Sequence, residues 1–343
     1  MDTRFFGRNH LGEDATLYTF RNANGMVMAV TDFGATLHSL LVPTASGPVD
    51  VVLGYDDPAG YEGPSGTFFG ATVGRNANRI GGAAFTLNEK AYTLTANDGP
   101  NNLHSGLDFY SFRIWKVKSL GGNSITFALH SPDGDQGYPG AVDIEVTYTL
   151  GDDNSVRIDY LGIPQAETLL NLTNHSYFNL LGHASGSVLE HTVWMDADHF
   201  TMADHQSITT GEILSVEGTP MDFRTPKTLG RDIDSDYPAL NFGQGYDHNW
   251  CLHNNGEFTL VARLTAPDES LSMEVLTDLP GVQIYTGNFI SEEPGKDGTV
   301  YHRRQGVCFE TQHYPNAINY PNFPSPVYGP QRIYRTSTAF CFR

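Results

Sequence analysis

The chain is short of positive charge. Its 343 residues carry 20 Lys and Arg against 39 Asp and Glu, a formal net charge of −19. That balance argues against a nucleic-acid partner and against an anionic membrane surface, since both select basic surface. It also disfavours a highly phosphorylated substrate. Cysteine is scarce: Cys251, Cys308 and Cys341 are too few and too scattered for a disulfide framework or a thiolate metal site. There is no His-Glu-x-x-His, and His199 with His205 lacks a third ligand, so no metal is expected. The Gly-rich pieces lack the strand–loop–helix context of a phosphate or dinucleotide site, so no cofactor is expected either. No apolar run approaches the ~20 residues of a membrane span. Residues 1–8 lack the apolar stretch of a signal peptide, and a cytoplasmic protein with no membrane partner is the expectation.

Long amphipathic helices are missing as well. What is present is a period of two. Thr16 to Phe20 and Met26 to Val30 flank Asn22-Ala23-Asn24-Gly25, which reads as a hairpin with Asn-Gly at its tip. Val142, Ile144, Val146, Tyr148 and Leu150 alternate strictly, and Val156, Ile158 and Tyr160 follow across a turn at Gly151-Asp152-Asp153-Asn154. Ile125 to Leu129, Phe258 to Leu264 and Leu271 to Val275 repeat the pattern, and residues 332–342 read as a last strand. Thirty-six Gly and 19 Pro supply the breaks. Antiparallel strands that are apolar on one side must pack face to face, so the fold class is all-β, a large antiparallel β-sandwich. No shift of composition and no repeat divides the chain, so one domain over residues 1–343 is expected.

Several strands carry polar residues opposite their apolar face. In the stretch Leu170 to Leu180, Leu170 and Leu172 point one way, while Asn171, Thr173 and His175 point the other, beside Tyr177. Such a face is poor core material, because each buried polar group needs a partner, and good material for a hydroxyl-rich ligand. In Val307 to Thr311, Val307 and Phe309 share one face and Glu310 takes the other; Val282 and Ile284 leave Gln283 and Tyr285 together. Asn78, Arg79, His104 and Asp247 sit in polar clusters next to turns. These residue types support acid–base work on a polyol, with Glu310 and His175 dividing the roles of base and acid and Asp247, Asn78, Arg79, His104 and Gln283 holding hydroxyls. Asp247 and Glu310 could also be a glycosidase pair.

The same residues lie in stretches that resemble the aldose 1-epimerases, the galactose mutarotases. They are Asp50 to Tyr55, Val73 to Ile80, Pro100 to His104, Ser131 to Gly140, Pro280 to Asn288 and Glu310 to Ala317, in the family's order. The resemblance implies one large antiparallel β-sandwich and interconversion of hexose anomers without a cofactor. It implies His175 as general acid and Glu310 as general base, with Asn78, Arg79, His104, Tyr177, Asp247 and Gln283 binding the sugar. It implies an aldose such as D-galactose or D-glucose as the partner and a monomer or homodimer. As the proton donor, His175 is expected to titrate near working pH. The chain departs from the family between Ser105 and Trp115, which points to that loop for substrate preference. The rivals are an epimerase of hexose 6-phosphates, with Arg75 or Arg113 holding the phosphate, and a non-catalytic sugar-binding sandwich.

Overall fold

The computed structural model describes residues 1–63 and 66–343. Among these residues, three antiparallel sheets of nine, six and five strands carry most of the chain. The five-stranded sheet is an N-terminal meander from Asp2 to Asp50. Its hairpin at Asn22–Gly25 forms as the Asn-Gly signal requires, with Arg21 opposite Val27. The nine-stranded sheet contains Val142–Leu150 and Ser155–Pro164, the two longest alternating runs, and next to them the final strand Tyr334–Phe342. The six-stranded sheet runs in the order Tyr177–Phe178, Val307–Gln312, Gly281–Tyr285, Asp247–Cys251, His199–Ala203 and Thr209–Ser215. The α-helices are a single turn at Pro58–Tyr61 and the six residues Pro238–Gly243.

One apolar cluster joins the inner faces of all three sheets. It takes Met28, Val30 and Leu40 from the first, Ile144, Ile158 and Phe340 from the second, and Val282, Ile284, Val307 and Phe309 from the third. That is the sandwich expected from the alternation. One strand departs from simple alternation. Register shifts between Leu260 and Ala262 by a β-bulge, so Val261 and Ala262 are both buried while Phe258 lies at the surface.

The stretch from Leu170 is not the continuous strand expected. It breaks into two-residue pieces: Thr168–Leu169 pairs with Val327–Tyr328, Thr173–Asn174 with Thr72–Val73, and Tyr177–Phe178 with Val307–Cys308. Leu170 and Leu172 do enter the core. Asn171 does not face a ligand: its Oδ1 accepts from the His313 amide at 2.8 Å. A chain that changes partner every few residues inside the protein leaves backbone groups to satisfy, and Asn171 and Asn174 do this with their amides.

Candidate active site

The outer face of the six-stranded sheet is built from the residues between the core positions. The register sets them in rows. Tyr177, Cys308, Tyr285 and Asp247 lie opposite one another across four strands. The next row holds Glu310, Gln283 and Asn249. Carrying the pairing of Tyr177 with Cys308 two residues further brings His175 opposite Glu310. A cavity of about 210 Å3 opens over this face, lined by Asn78, Arg79, His104, His175, Tyr177, Asp247, Tyr285 and Glu310 among others.

His175 Nε2 stands 3.5 Å from Glu310 Oε2, with both side chains almost fully buried. Glu310 Oε2 has no hydrogen-bond partner. A buried carboxylate oxygen left open is costly, and such atoms mark places where a ligand is expected. The His175 backbone is held by Ala71 O and, through its own carbonyl, by Gly70 N. Gly70 is required there: its φ is +65°, and a Cβ would stand 2.0 Å from Leu37 O. The imidazole stacks on Tyr177 at 5.1 Å and on Phe68 at 5.9 Å.

Burial sets the titration of both groups. It lowers His175 to about 4. It raises the Glu310 carboxyl well above its usual range, with Asp247 adding to the effect and Arg79 opposing it. The expectation that His175 titrates near working pH is therefore corrected: loss of solvation in the aromatic slot disfavours its cation. Both shifts run the same way: they favour the neutral pair, with a shared proton on Glu310 over one on His175.

His104 is fixed differently. Its Nδ1 accepts the Asn78 amide N–H at 3.1 Å, so Nδ1 is unprotonated and Nε2 carries the hydrogen. Burial lowers its pKa well below the ordinary value, with His175 and Arg79 adding to the effect. This neutral, locked imidazole can donate to a hydroxyl but cannot become a cation without losing its backbone bond. Asn78 lies in the left-handed region with φ of 60°, and its Oδ1 accepts from Arg79 N. Arg79 Nε donates to Asp98 Oδ2 at 2.7 Å. Asp247 Oδ1 accepts from Gln283 Nε2 at 2.7 Å, and Gln312 Nε2 donates to Gln283 Oε1 at 3.5 Å. Gln283 does not line the main cavity; it stands behind Asp247 and orients it.

Seven of the eight residues singled out in the sequence thus line one cavity, and the eighth supports it. Phe68, Leu103, Phe289 and Ile290 also line it and were not anticipated. Phe68 has φ of +55°, strained for a bulky side chain, and packs against His104, His175 and Phe109. An aromatic beside a turn gives no sign in sequence of which way it faces. In the departing loop, Ser105 is buried and bonded to Asn76 at both N and O, while Leu107 is exposed.

The chain is thus an all-β sandwich with a buried imidazole–carboxylate pair lining a polar cavity, a class of site suited to acid–base chemistry on a hydroxyl-rich ligand. The aldose 1-epimerase family model matches residues 16–341, and the chain belongs to that family. It is 41% identical to a galactose mutarotase of Sus scrofa over 91% of this chain and 90% of that one. It is 40% identical to an aldose 1-epimerase of Haemophilus influenzae with the same coverage. Among solved structures it is similar to a C. elegans aldose epimerase homologue, with a TM-score of 0.87 and 30% identity over 95% of this chain and 98% of that one.

Proposed function

We propose that the protein is an aldose 1-epimerase that interconverts the α- and β-anomers of free hexoses such as D-galactose and D-glucose, with His175 and Glu310 moving the protons. The observation that carries this reading is the 3.5 Å pair of His175 Nε2 and Glu310 Oε2, buried together with the carboxylate oxygen unpartnered.

Glu310 takes the proton from O1 as the C1–O5 bond breaks and C1=O1 forms. His175 gives its proton to O5. The aldehyde turns about C1–C2 and presents its other face, and the two transfers run backwards: His175 recovers the O5 proton and Glu310 returns one to O1. Each transfer is worth ~10²–10⁴-fold. No electron leaves the sugar. The pair holds one proton throughout, as His175 cation and Glu310 anion before opening and as two neutral groups after it. Burial favours the neutral arrangement, the one the pair reaches in the open-chain complex. His104 Nε2–H, Asn78, Arg79 and Asp247 hold ring hydroxyls, Tyr177 flanks the ring, and Gln283 orients Asp247.

The 6-phosphate alternative is disfavoured by the two arginines that could serve it. Arg75 is fully buried, and its guanidinium donates to Gly140 O, Pro139 O and the Ser131 side chain. Arg113 is bonded by both Asp135 oxygens and by Asp108. The glycosidase alternative is disfavoured because Asp247 Oδ1 is engaged by Gln283 while the titratable group against Glu310 is His175. We further infer that residues 1–343 act as one domain, supported by the shared core of the three sheets. A cytoplasmic setting is supported by three free thiols.

Polarimetry of freshly dissolved α-D-galactose, α-D-glucose and glucose 6-phosphate tests this function. The free hexoses should relax far faster than in buffer alone, and the phosphate ester little faster. A protein that binds galactose without accelerating its relaxation would be a sugar-binding module instead.

A further inference from the structure

Cys308 has no part in the proton transfers, yet it sits against them. The register places it between Tyr177 and Tyr285 on the cavity face of the sheet, and its Sγ lies 3.5 Å from His175 Nδ1. His175, Cys308 and Glu310 each offer one ligand atom, and the three atoms lie within 4.8 Å of one another. We propose that this triad is an inhibitory site for a thiophilic divalent cation of the zinc class.

Three features carry the proposal. The donor set is one nitrogen, one sulfur and one carboxylate oxygen, which suits a borderline-soft ion and not magnesium or calcium. Tetrahedral zinc bond lengths set neighbouring ligand atoms about 3.4–3.6 Å apart. The Cys308–His175 and His175–Glu310 separations are both 3.5 Å, the first through Nδ1 and the second through Nε2. One imidazole nitrogen serves an ion, so Glu310 must swing toward Cys308, and its Oε2 has no hydrogen bond to give up in doing so. Finally, Asp247 lies in the same cavity and adds negative charge. On binding, the Cys308 S–H and Glu310 O–H bonds break heterolytically: both protons go to solvent, and the sulfur and carboxylate lone pairs go to the metal. An ion there takes the lone pairs that Glu310 and His175 need, so inhibition competes with sugar and is reversed by a chelator.

The metal site rests on the proposed function only for the inhibition readout, so the decisive probe is cobalt(II) binding to the sugar-free protein. One equivalent should bind with a thiolate-to-cobalt charge-transfer band, and zinc should displace it. The band should vanish in Cys308→Ala and persist when Cys251 and Cys341 are both changed to Ser. Zinc should inhibit mutarotation, and its apparent inhibition constant should rise by at least ~100-fold in Cys308→Ala, because even an outer-shell partner is worth ~10–100-fold in metal affinity. Cobalt bound without a sulfur band overturns the proposal while leaving the isomerase reading intact, and so does zinc inhibition unchanged in Cys308→Ala. Should Cys308→Ala fail to fold, the spectrum of the protein lacking the other two cysteines decides alone.

Discussion

The two faces of the six-stranded sheet are made by alternate residues of the same few strands. Along Gly281–Tyr285, Val282 and Ile284 enter the core, while Gln283 and Tyr285 take the cavity side. Along Val307–Gln312, Val307 and Phe309 enter the core, while Cys308 and Glu310 face out. All of these are buried or nearly so, but for opposite reasons. The inner face is apolar and closed. The outer face holds two carboxyls, the two histidines His104 and His175, and buried polar atoms without partners, such as Glu310 Oε2 and the Asn249 amide. Period two separates the residues that stabilise the sheet from those that act. Removing a core side chain should weaken the fold and spare the chemistry; removing a cavity side chain should do the reverse.

The largest expected effect is on the cavity side. His175→Gln should lower kcat by ~10²–10⁴-fold with little change in KM, since a proton donor acts in the transition state. A variant that only weakens binding would make His175 a ligand contact. The acid could not then be His104, whose Nδ1 is spent on the Asn78 amide. Across the sheet, Ile284→Ala should cost about 2–5 kcal/mol of unfolding free energy in urea, with turnover per folded molecule near that of the parent. Lost turnover without lost stability would show that the faces are not separable.

Smaller effects grade the cavity residues by distance from the protons. Asp247→Asn should raise KM by ~10–100-fold, corresponding to the 1.5–3 kcal/mol of a hydrogen bond to a charged group. Gln283→Leu should raise it by about tenfold or less, because Gln283 acts through Asp247 and the bond lost is neutral on one side. The reverse order would place Gln283 against the sugar. The pH profile is subtler. The competent site holds one proton on the pair. Below the His175 pKa of about 4 it gains a second, so the acid limb of kcat/KM should lie near that value. On the alkaline side kcat/KM should fall as the last proton leaves at the raised Glu310 pKa. Both limbs belong to the pair, not to one residue. An acid limb near pH 6.5 would mean that His175 titrates as if solvated.

Much of this division was legible in the sequence. Alternation in Val142–Leu150 and Ser155–Pro164 marked the sandwich, because burial on one side leaves that pattern. Glu310 between Phe309 and Thr311, and Gln283 between Val282 and Ile284, marked the cavity side for the same reason. The pattern failed where loops cover the sheet. Asn171 and His175 have the same parity, yet Asn171 closes backbone groups and His175 enters the site, since the chain changes partner between them. Phe68 gave no signal because its place depends on a left-handed turn. The depressed His175 pKa was not legible, because it comes from burial under Phe68 and against Tyr177.

The most direct test is the polarimetric rate for Glu310→Gln measured on the same sample as its thermal midpoint. Burial raises the folded-state pKa of Glu310 above the ordinary 4.5, so the carboxyl destabilises the fold increasingly as pH rises past that value. Gln carries no such penalty. The variant should therefore melt no lower than the parent, with an advantage that grows above pH 4.5, while α-D-galactose relaxes ~10²–10⁴-fold more slowly. Parent-like relaxation, or a loss of activity matched by a loss of folded protein, would contradict the assignment of Glu310 as the base on a face built for chemistry.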